Sequence, residues 1–544
     1  MKKTLLICFL AGLCLAGSET QAKVASPRDS LVDCPGPRGQ EESMPSAQMG
    51  ESQFYLELPA TLASDTLWLT YWEHFLDDNK EATPGTTIPL VAFQGDFFRG
   101  NMGYKSFHWS PKHASGPLFF KIRDKKNWLI NTWTILPGDQ VRVRKELTNG
   151  QTYFLGPAAD FFRAQHIITS LAETQKLQAH PLMVTNNPKS IFSDSTTHAR
   201  YQQAIGLPEN LFPPMVFFRP GSDEASLIDS LLALPLLDNP MINALPALIS
   251  SLNPEQQSWI SQRAWGEILS AKLSRLSINK KILTRLEYRQ KYEAWKSVLP
   301  DLSTGENLDP LFLKAYYELA ILDAFVYDKT LLEILDTYPP SLKDPILGRY
   351  LVSIFRRSEG AQASSLQTGL DLIQTPWIRQ KLLDLQSTAL PGSLFNPSAL
   401  TDLNGQPFDL QQLKGKSLVI SFWISGCKFC IKYYERTLKP VFEQFADRDD
   451  FVFITVNADT SDKFWNGHLA TGKYAHPEMV NLHQDSGTGI LEQYQISSFP
   501  QKLLIGPDFR LFLMTKTQYS PEQLSQMIDS MAVENRPDSQ SKPK

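Results

Sequence analysis

Cysteine is scarce in this chain, with five residues in 544, at positions 8, 14, 34, 427 and 430. The first two fall in an N-terminal segment that reads as an export signal, which leaves Cys34, Cys427 and Cys430. Three cysteines cannot build a stabilising disulfide framework in an exported chain of this size, so the core must hold by burial alone. An excess of either charge is missing as well. Lys and Arg number 53 against 57 Asp and Glu, a formal net charge of −4, and without a basic cluster nucleic acid is not an expected partner. Beyond the first residues no apolar run approaches the ~20 residues that span a bilayer, so the mature chain is expected to be soluble. The 42% hydrophobic and 20% charged content excludes a disordered chain. At this length two to four domains are expected.

What is present begins with Lys2 and Lys3 before the apolar run Leu5–Ala16, closed by Thr20-Gln21-Ala22. This pattern predicts a signal peptide over 1–22, cleaved after Ala22, and a location in the periplasm or cell envelope. An uncleaved anchor is one alternative. Lipid attachment at Cys14 is a lesser one, because Leu13 stands where lipoprotein signals carry a small residue. Residues 23–53, rich in Pro, Ser, Gly and charge, read as a flexible leader in which Cys34 is a spare thiol.

Residues 54–155 carry short alternating runs such as Phe54-Tyr55-Leu56-Glu57-Leu58 and Leu118-Phe119-Phe120-Lys121-Ile122. With the turn Pro137-Gly138-Asp139 before a last run, they predict an N-terminal antiparallel β-sandwich. Apolar spacing of three and four over Ala158–Leu177, Glu255–Leu276, Leu311–Ala324 and Leu366–Leu385 predicts an all-helical middle domain over 156–387. Asn253-Pro254 starts one helix there, and Pro376 splits the last stretch in two. Residues 388–535 alternate strand and helix, an α/β pattern, and 536–544 form a disordered tail. Within the α/β part, Asn404-Gly405 marks a hairpin. Ser417–Trp423 reads as a strand buried on both faces, and a helix carrying Pro440 follows.

Cys427-Lys428-Phe429-Cys430 lies between that strand and that helix. A sulfur at a helix start meets unpaired N–H groups and the positive end of the macrodipole, which favour the thiolate. Thiolate is the attacking species in disulfide exchange. The spacing predicts Cys427 as nucleophile and Cys430, one turn on, as the resolving thiol. A structural disulfide closing so small a loop adds little stability. A zinc site lacks a second cysteine pair. His468, His476 and His483 supply a copper alternative, and Ser425 before Cys427 a peroxidatic one. No cofactor or metal is expected.

The run Phe422-Trp423-Ile424-Ser425-Gly426-Cys427-Lys428-Phe429-Cys430 resembles the active-site stretch of TlpA/ResA-like thioredoxin-family proteins. Asn404-Gly405 with Leu413-Lys414-Gly415-Lys416 is similar to their opening hairpin, and Ile496-Ser497-Ser498-Phe499-Pro500 to their proline loop. The resemblance covers about the last quarter of the chain. It implies a thioredoxin fold and thiol–disulfide oxidoreductase activity, with reduction as the favoured direction. It also implies a cis peptide before Pro500, which with Phe499 offers a backbone edge to substrate. Trp423, Lys428 and Phe429 join them as expected substrate contacts; Tyr433, Tyr434 and Phe429 could form an apolar collar, of which Phe429 alone is expected to be exposed enough to touch a client. The implied partners are disulfide-bearing exported proteins, apocytochromes among them, and a membrane thiol donor. The turn Pro137-Gly138-Asp139 before a last strand also resembles the β-rich N-terminal domain that precedes thioredoxin modules in Bacteroidetes envelope proteins.

Five positions depart from the family pattern. Gly426 replaces a Trp, and Lys428-Phe429 a Gly-Pro type pair, Lys428 arguing for a more oxidising couple. Ser421 replaces the buried Asp of thioredoxins proper, and Tyr433 a Glu of TlpA-like members, so the proton acceptor for Cys430 is open. A different class of function is an envelope scaffold in which the cysteine pair is a regulatory redox switch.

Overall fold

A computed structural model describes residues 51–534, apart from short internal stretches of which the longest are 78–84, 94–102, 206–215, 301–307 and 356–361. The expected signal, Cys14, Cys34, the tail and the leader up to residue 50 lie outside the described residues, and the leader's last residue, Gln53, opens a strand instead.

The first part is two four-stranded sheets. One contains β1 (Gln53–Pro59), β4 (Tyr104–Trp109), β7 (Gln140–Lys145) and β8 (Thr152–Leu155), in the order β4-β1-β7-β8. The other contains β2 (Thr66–Trp72), β3 (Thr86–Val91), β5 (Leu118–Arg123) and β6 (Trp128–Ile135), in the order β3-β2-β5-β6. One pairing departs from the antiparallel expectation: β1 and β7 run parallel, with Phe54 opposite Val141 and Leu56 opposite Val143. They meet only after the chain has passed through the second sheet, so no hairpin fixes their relative direction. Phe54, Leu56 and Leu58 of β1 point into the core, while on the opposite face Tyr55 is half-buried and Glu57 is buried in an ion pair with Arg144 at 2.8 Å.

Asp139 closes the turn into β7. Its carboxylate accepts the Leu136 N–H at 2.8 Å, while burial, with a smaller push from Glu255, raises its pKa to about 7. A carboxyl raised in the folded state stabilises the fold fully below the ordinary aspartate pKa, and that stability is lost as pH rises through about 7. Asp139→Asn is therefore expected to flatten the decline in stability between pH 4 and 7 by about 1–3 kcal/mol, read from urea midpoints across that range.

The middle part is mainly helical. Its principal helices are α1 (Ala159–Gln178), α2 (Pro254–Leu276), α3 (Pro310–Tyr327), α4 (Pro340–Phe355), α5 (Gln362–Leu372) and α6 (Pro376–Ala389). Asn253 caps α2, accepting the Gln256 N–H at 2.9 Å with Pro254 at the first helical position. The Leu366–Leu385 stretch does break at Pro376, and Asp344 Oδ2 there accepts the N–H groups of Gln374 (2.9 Å) and Thr375 (2.7 Å). The region is not wholly helical: β9 (Leu182–Val184) and β10 (Val216–Phe218) form a two-stranded parallel sheet. Three-residue strands are too short to leave a periodic signal.

One buried cluster runs continuously from Phe54 to Leu390, so the sheets and helices share a core. Polar links cross the same boundary. Arg263 on α2 is 1% exposed and donates from Nε to Asp309 at 3.3 Å and from Nη2 to the Thr132 carbonyl on β6. Asp309 in turn caps α3, accepting the Leu311 N–H at 2.9 Å. Gly266 lets α2 approach α3, because a Cβ there would stand 2.5 Å from the Phe312 nitrogen.

The last part is a seven-stranded mixed sheet in the order β12-β11-β15-β14-β13-β16-β17. Its strands are β11 (Leu400–Thr401), β12 (Pro407–Phe408), β13 (Ser417–Trp423), β14 (Phe451–Asn457), β15 (Val480–His483), β16 (Gln501–Ile505) and β17 (Leu511–Thr515). β13 pairs parallel with β14 and antiparallel with β16, and every residue of it is buried. Leu418, Ile420 and Phe422 enter the core on one face of the sheet, and Val419 enters the core on the other. A helical run follows β13 as α7 (Lys428–Tyr433), a π-helical turn Tyr434–Leu438, and α8 (Lys439–Phe445). Pro440 lacks an N–H to give to the preceding turn, and the ladder widens just ahead of it. α9 (Asp462–Leu469) lies in the connection from β14 to β15, α10 (Gly489–Gln493) precedes the proline loop, and α11 (Pro521–Glu534) packs on the α8 side.

Candidate active site

The chain leaves the buried strand β13 at Trp423 and turns before it enters α7. The Cys427 N–H donates to the Ile424 carbonyl at 3.3 Å, which makes Ser425 and Gly426 the two central residues of a turn. Gly426 has φ +78°, the left-handed conformation that a type II turn requires at its third position. This gives a physical reason for glycine before Cys427. A Cβ there would meet nothing within 4 Å, so Gly426→Ala should cost only the backbone strain, about 1–2 kcal/mol. A comparison of thermal midpoints checks this, and a loss well above that range would contradict it.

The outward N–H groups of this turn are satisfied from the β14–β15 connection. Ser425 donates from its N–H to Asp459 Oδ1 at 3.0 Å, and its hydroxyl donates to Asp459 Oδ2. The Gly426 N–H donates to the Tyr474 hydroxyl at 2.9 Å. The Tyr474 ring stacks on Trp423 at 4.4 Å and 18°. Asn457 Nδ2 adds a bond to Asp459 Oδ2 at 3.0 Å. The turn is thus held by residues 34 and 48 positions away in sequence, which sequence reasoning missed. The Gly426 turn was the available hint that the backbone there needs support.

Cys427 caps α7. Its Sγ accepts the Cys430 N–H at 3.0 Å, the bond that a capping Ser or Asp oxygen makes at other helices. Cys427 is half-buried and Cys430 is 3% exposed. The two sulfurs are joined as a disulfide with Cα atoms 5.2 Å apart. Opposite them the Phe499–Pro500 peptide is cis, and the Phe499 carbonyl oxygen lies 3.9 Å from Cys427 Sγ. Trp423, Cys430, Trp465 and Tyr474 form one buried cluster, with Cys427, Ile431, Leu469 and Phe499 against it.

The structure therefore brings together Cys427, Cys430, Phe499 and Pro500, with Trp423 beneath them, only 2% exposed and covered by Tyr474. Lys428 and Phe429 lie on the outer side, Phe429 being 66% exposed. The apolar collar does not form as expected. Tyr433 and Tyr434 are buried in the core beside α8 and α11, because they fall on the helix face turned to the sheet. Burial pushes the Tyr433 hydroxyl well up, so it cannot serve as a base at neutral pH. Lys502, 1% exposed on β16, places its Nζ 4.5 Å from the Tyr433 ring centre and donates to the Thr517 carbonyl. His468 donates from Nδ1 to the Phe464 carbonyl at 3.0 Å, and His483 stacks on Trp465 at 5.1 Å. His476 packs against Phe442 at 5.0 Å. Among the described residues no group of three or more His, Cys, Asp or Glu could hold a metal ion, and no helix is long and apolar enough to cross a membrane.

Residues 387–492 match the family model described as Redoxin. The chain is 26% identical over 131 residues to the thiol-disulfide oxidoreductase ResA of Bacillus thuringiensis subsp. konkukian, covering 24% of this chain and 71% of that relative. It is 27% identical over 127 residues to ResA of Bacillus anthracis, covering 23% and 69%. Among solved structures, a thiol-disulfide oxidoreductase from Bacteroides vulgatus aligns at 27% identity and a TM-score of 0.24, over 27% of this chain and 99% of that one. A thiol:disulfide interchange protein DsbE from Chlorobium tepidum aligns at 20% and 0.23, over 26% and 98%. The C-terminal part of the chain carries a thioredoxin-like mixed sheet and a redoxin match, and it is similar to the ResA/TlpA-like thiol–disulfide oxidoreductases.

Proposed function

We propose that this chain is an extracytoplasmic reductase of disulfides in exported proteins, with Cys427 as nucleophile and Cys430 as resolving thiol. The carrying observation is the asymmetry of the pair, a half-buried Cys427 capping a helix and a buried Cys430 one turn on. In the reduced protein the Cys427 thiolate attacks one sulfur of a client disulfide. A Cys427–client bond forms, and the other client sulfur leaves as a thiolate that takes up a proton. Cys430 then loses its proton and attacks Cys427 Sγ, the second client sulfur departs, and Cys427–Cys430 closes. Two electrons and two protons have passed to the client. A membrane thiol donor restores the dithiol.

Lys428 and Phe429, on the outer side, and the Phe499–Pro500 edge contact the client, while Trp423 supports the site from beneath. The signal at 1–22 and the resemblance to ResA-like proteins support a periplasmic or envelope location, with apocytochromes among the clients. The test is multiple turnover by the full chain on insulin disulfides with a thiol donor. Reversible oxidation without turnover would favour the redox-switch scaffold instead.

A further inference from the structure

We propose that the Asp459 carboxylate sets the redox poise of the cysteine pair, making it more reducing than the helix start and Lys428 alone would allow. The inference rests on the exchange reading above and deepens it. The position of the charge is fixed by three hydrogen bonds to the carboxylate and two to the Asp459 backbone. Ser425 donates its N–H and its hydroxyl to the two carboxylate oxygens, and Asn457 Nδ2 donates to one of them at 3.0 Å. The Asp459 N–H donates to Asn457 Oδ1 at 3.0 Å, and its carbonyl oxygen lies 2.8 Å from His483 Nε2. The carboxylate is therefore held against the turn whose last residue is Cys427.

The carboxylate's side-chain donors, Ser425 and Asn457, carry no charge, and none of the ion pairs among the described residues involves Asp459. A fixed negative charge here raises the free energy of a Cys427 thiolate and leaves the uncharged disulfide almost untouched. Reduction of the disulfide becomes harder, and the dithiol gives up its electrons more readily. Lys428 and the first N–H groups of α7 act in the opposite sense. The connection that carries Asp459 thus does more than cover the site: it holds the charge that offsets them.

The experiment is equilibration of the full chain with mixtures of glutathione and glutathione disulfide, in the reaction protein disulfide plus two glutathione giving dithiol plus glutathione disulfide. Asp459→Asn keeps the shape and an acceptor for the Ser425 N–H but removes the charge. The expected result is at least a threefold shift of the equilibrium constant toward the reduced protein, about 15 mV for a two-electron couple. The Cys427 thiolate, followed by its ultraviolet absorbance, should also titrate at lower pH. Ser425→Ala keeps the charge and removes one compensating donor, so its constant should stay within twofold of wild type or move the other way.

Asp459→Ser, neutral and smaller, should repeat the shift if Asn strains the turn. An unchanged constant in both charge-removing variants would overturn the proposal. So would a common shift toward the reduced form in these variants and in Ser425→Ala, since loop geometry and not charge would then be at work. A wild-type protein that fails to equilibrate with glutathione at all would instead refute the exchange reading on which the proposal stands.

Discussion

Replacing Cys427 by Ser is expected to reduce insulin-disulfide turnover to the uncatalysed background, whereas Cys430→Ser should lose turnover but still accumulate mixed disulfides. The difference follows from where each sulfur lies. Cys427 is half-buried and opens toward the Phe499 carbonyl edge, with its Sγ 3.9 Å from that oxygen. Its sulfur already accepts an N–H bond from Cys430 at 3.0 Å, a contact that strengthens once the sulfur carries charge. Cys430 is 3% exposed and packs with Trp423, Trp465 and Tyr474. A client disulfide cannot reach it, but the Cys427–client bond forms within its reach. A chain without Cys430 therefore begins the exchange and stalls, and a chain without Cys427 does not begin. Equal accumulation of mixed disulfides in the two variants would refute this division of labour.

The second large effect is on stability. Asp309→Ala is expected to cost about 3–5 kcal/mol, the penalty for stranding a buried charge. Arg263 and Asp309 are each 1% exposed, 3.3 Å apart, and Arg263 also ties α2 to the Thr132 carbonyl of β6. Loss of the carboxylate leaves the guanidinium with that carbonyl and no counter-charge, and it removes the cap from α3. By contrast Glu267→Gln, which breaks a 3.2 Å pair with a Lys176 that is 60% exposed, should change stability by less than about 1 kcal/mol. Urea unfolding followed by circular dichroism at 222 nm distinguishes the two. Similar midpoints for both variants would mean that the buried pair does not join the sheets to the helices as described.

How much of this was legible in the sequence depended on range. Ser417–Trp423 declared itself because a strand buried on both faces needs a nearly unbroken apolar run, and the hairpin at Asn404-Gly405 because its turn chemistry is local. The breaks at Pro254 and Pro376 were readable for the same reason. The parallel meeting of β1 with β7 was not, since nothing near Phe54 indicates a partner 87 residues on. The short β9–β10 pair left no period to find. At the site, the placement of the two cysteines and of Phe499-Pro500 followed from motifs. Asp459 and Tyr474 carry no motif of their own and act through a connection that folds back over the turn. Of the three possible collar residues, Phe429 is exposed as expected, and Tyr433 and Tyr434 are buried, since proximity in sequence to Cys430 says nothing about which helix face they occupy.

The attack of a half-buried Cys427 on a client disulfide is tested most directly by mapping the adduct. The Cys430→Ser and Cys427→Ser proteins are each incubated with the same disulfide-bearing peptide, quenched in acid and digested for mass spectrometry. The account predicts rapid peptide attachment at residue 427 in the first protein and none at Cys430 in the second over the same time. Attachment at Cys430 at a comparable rate would contradict it.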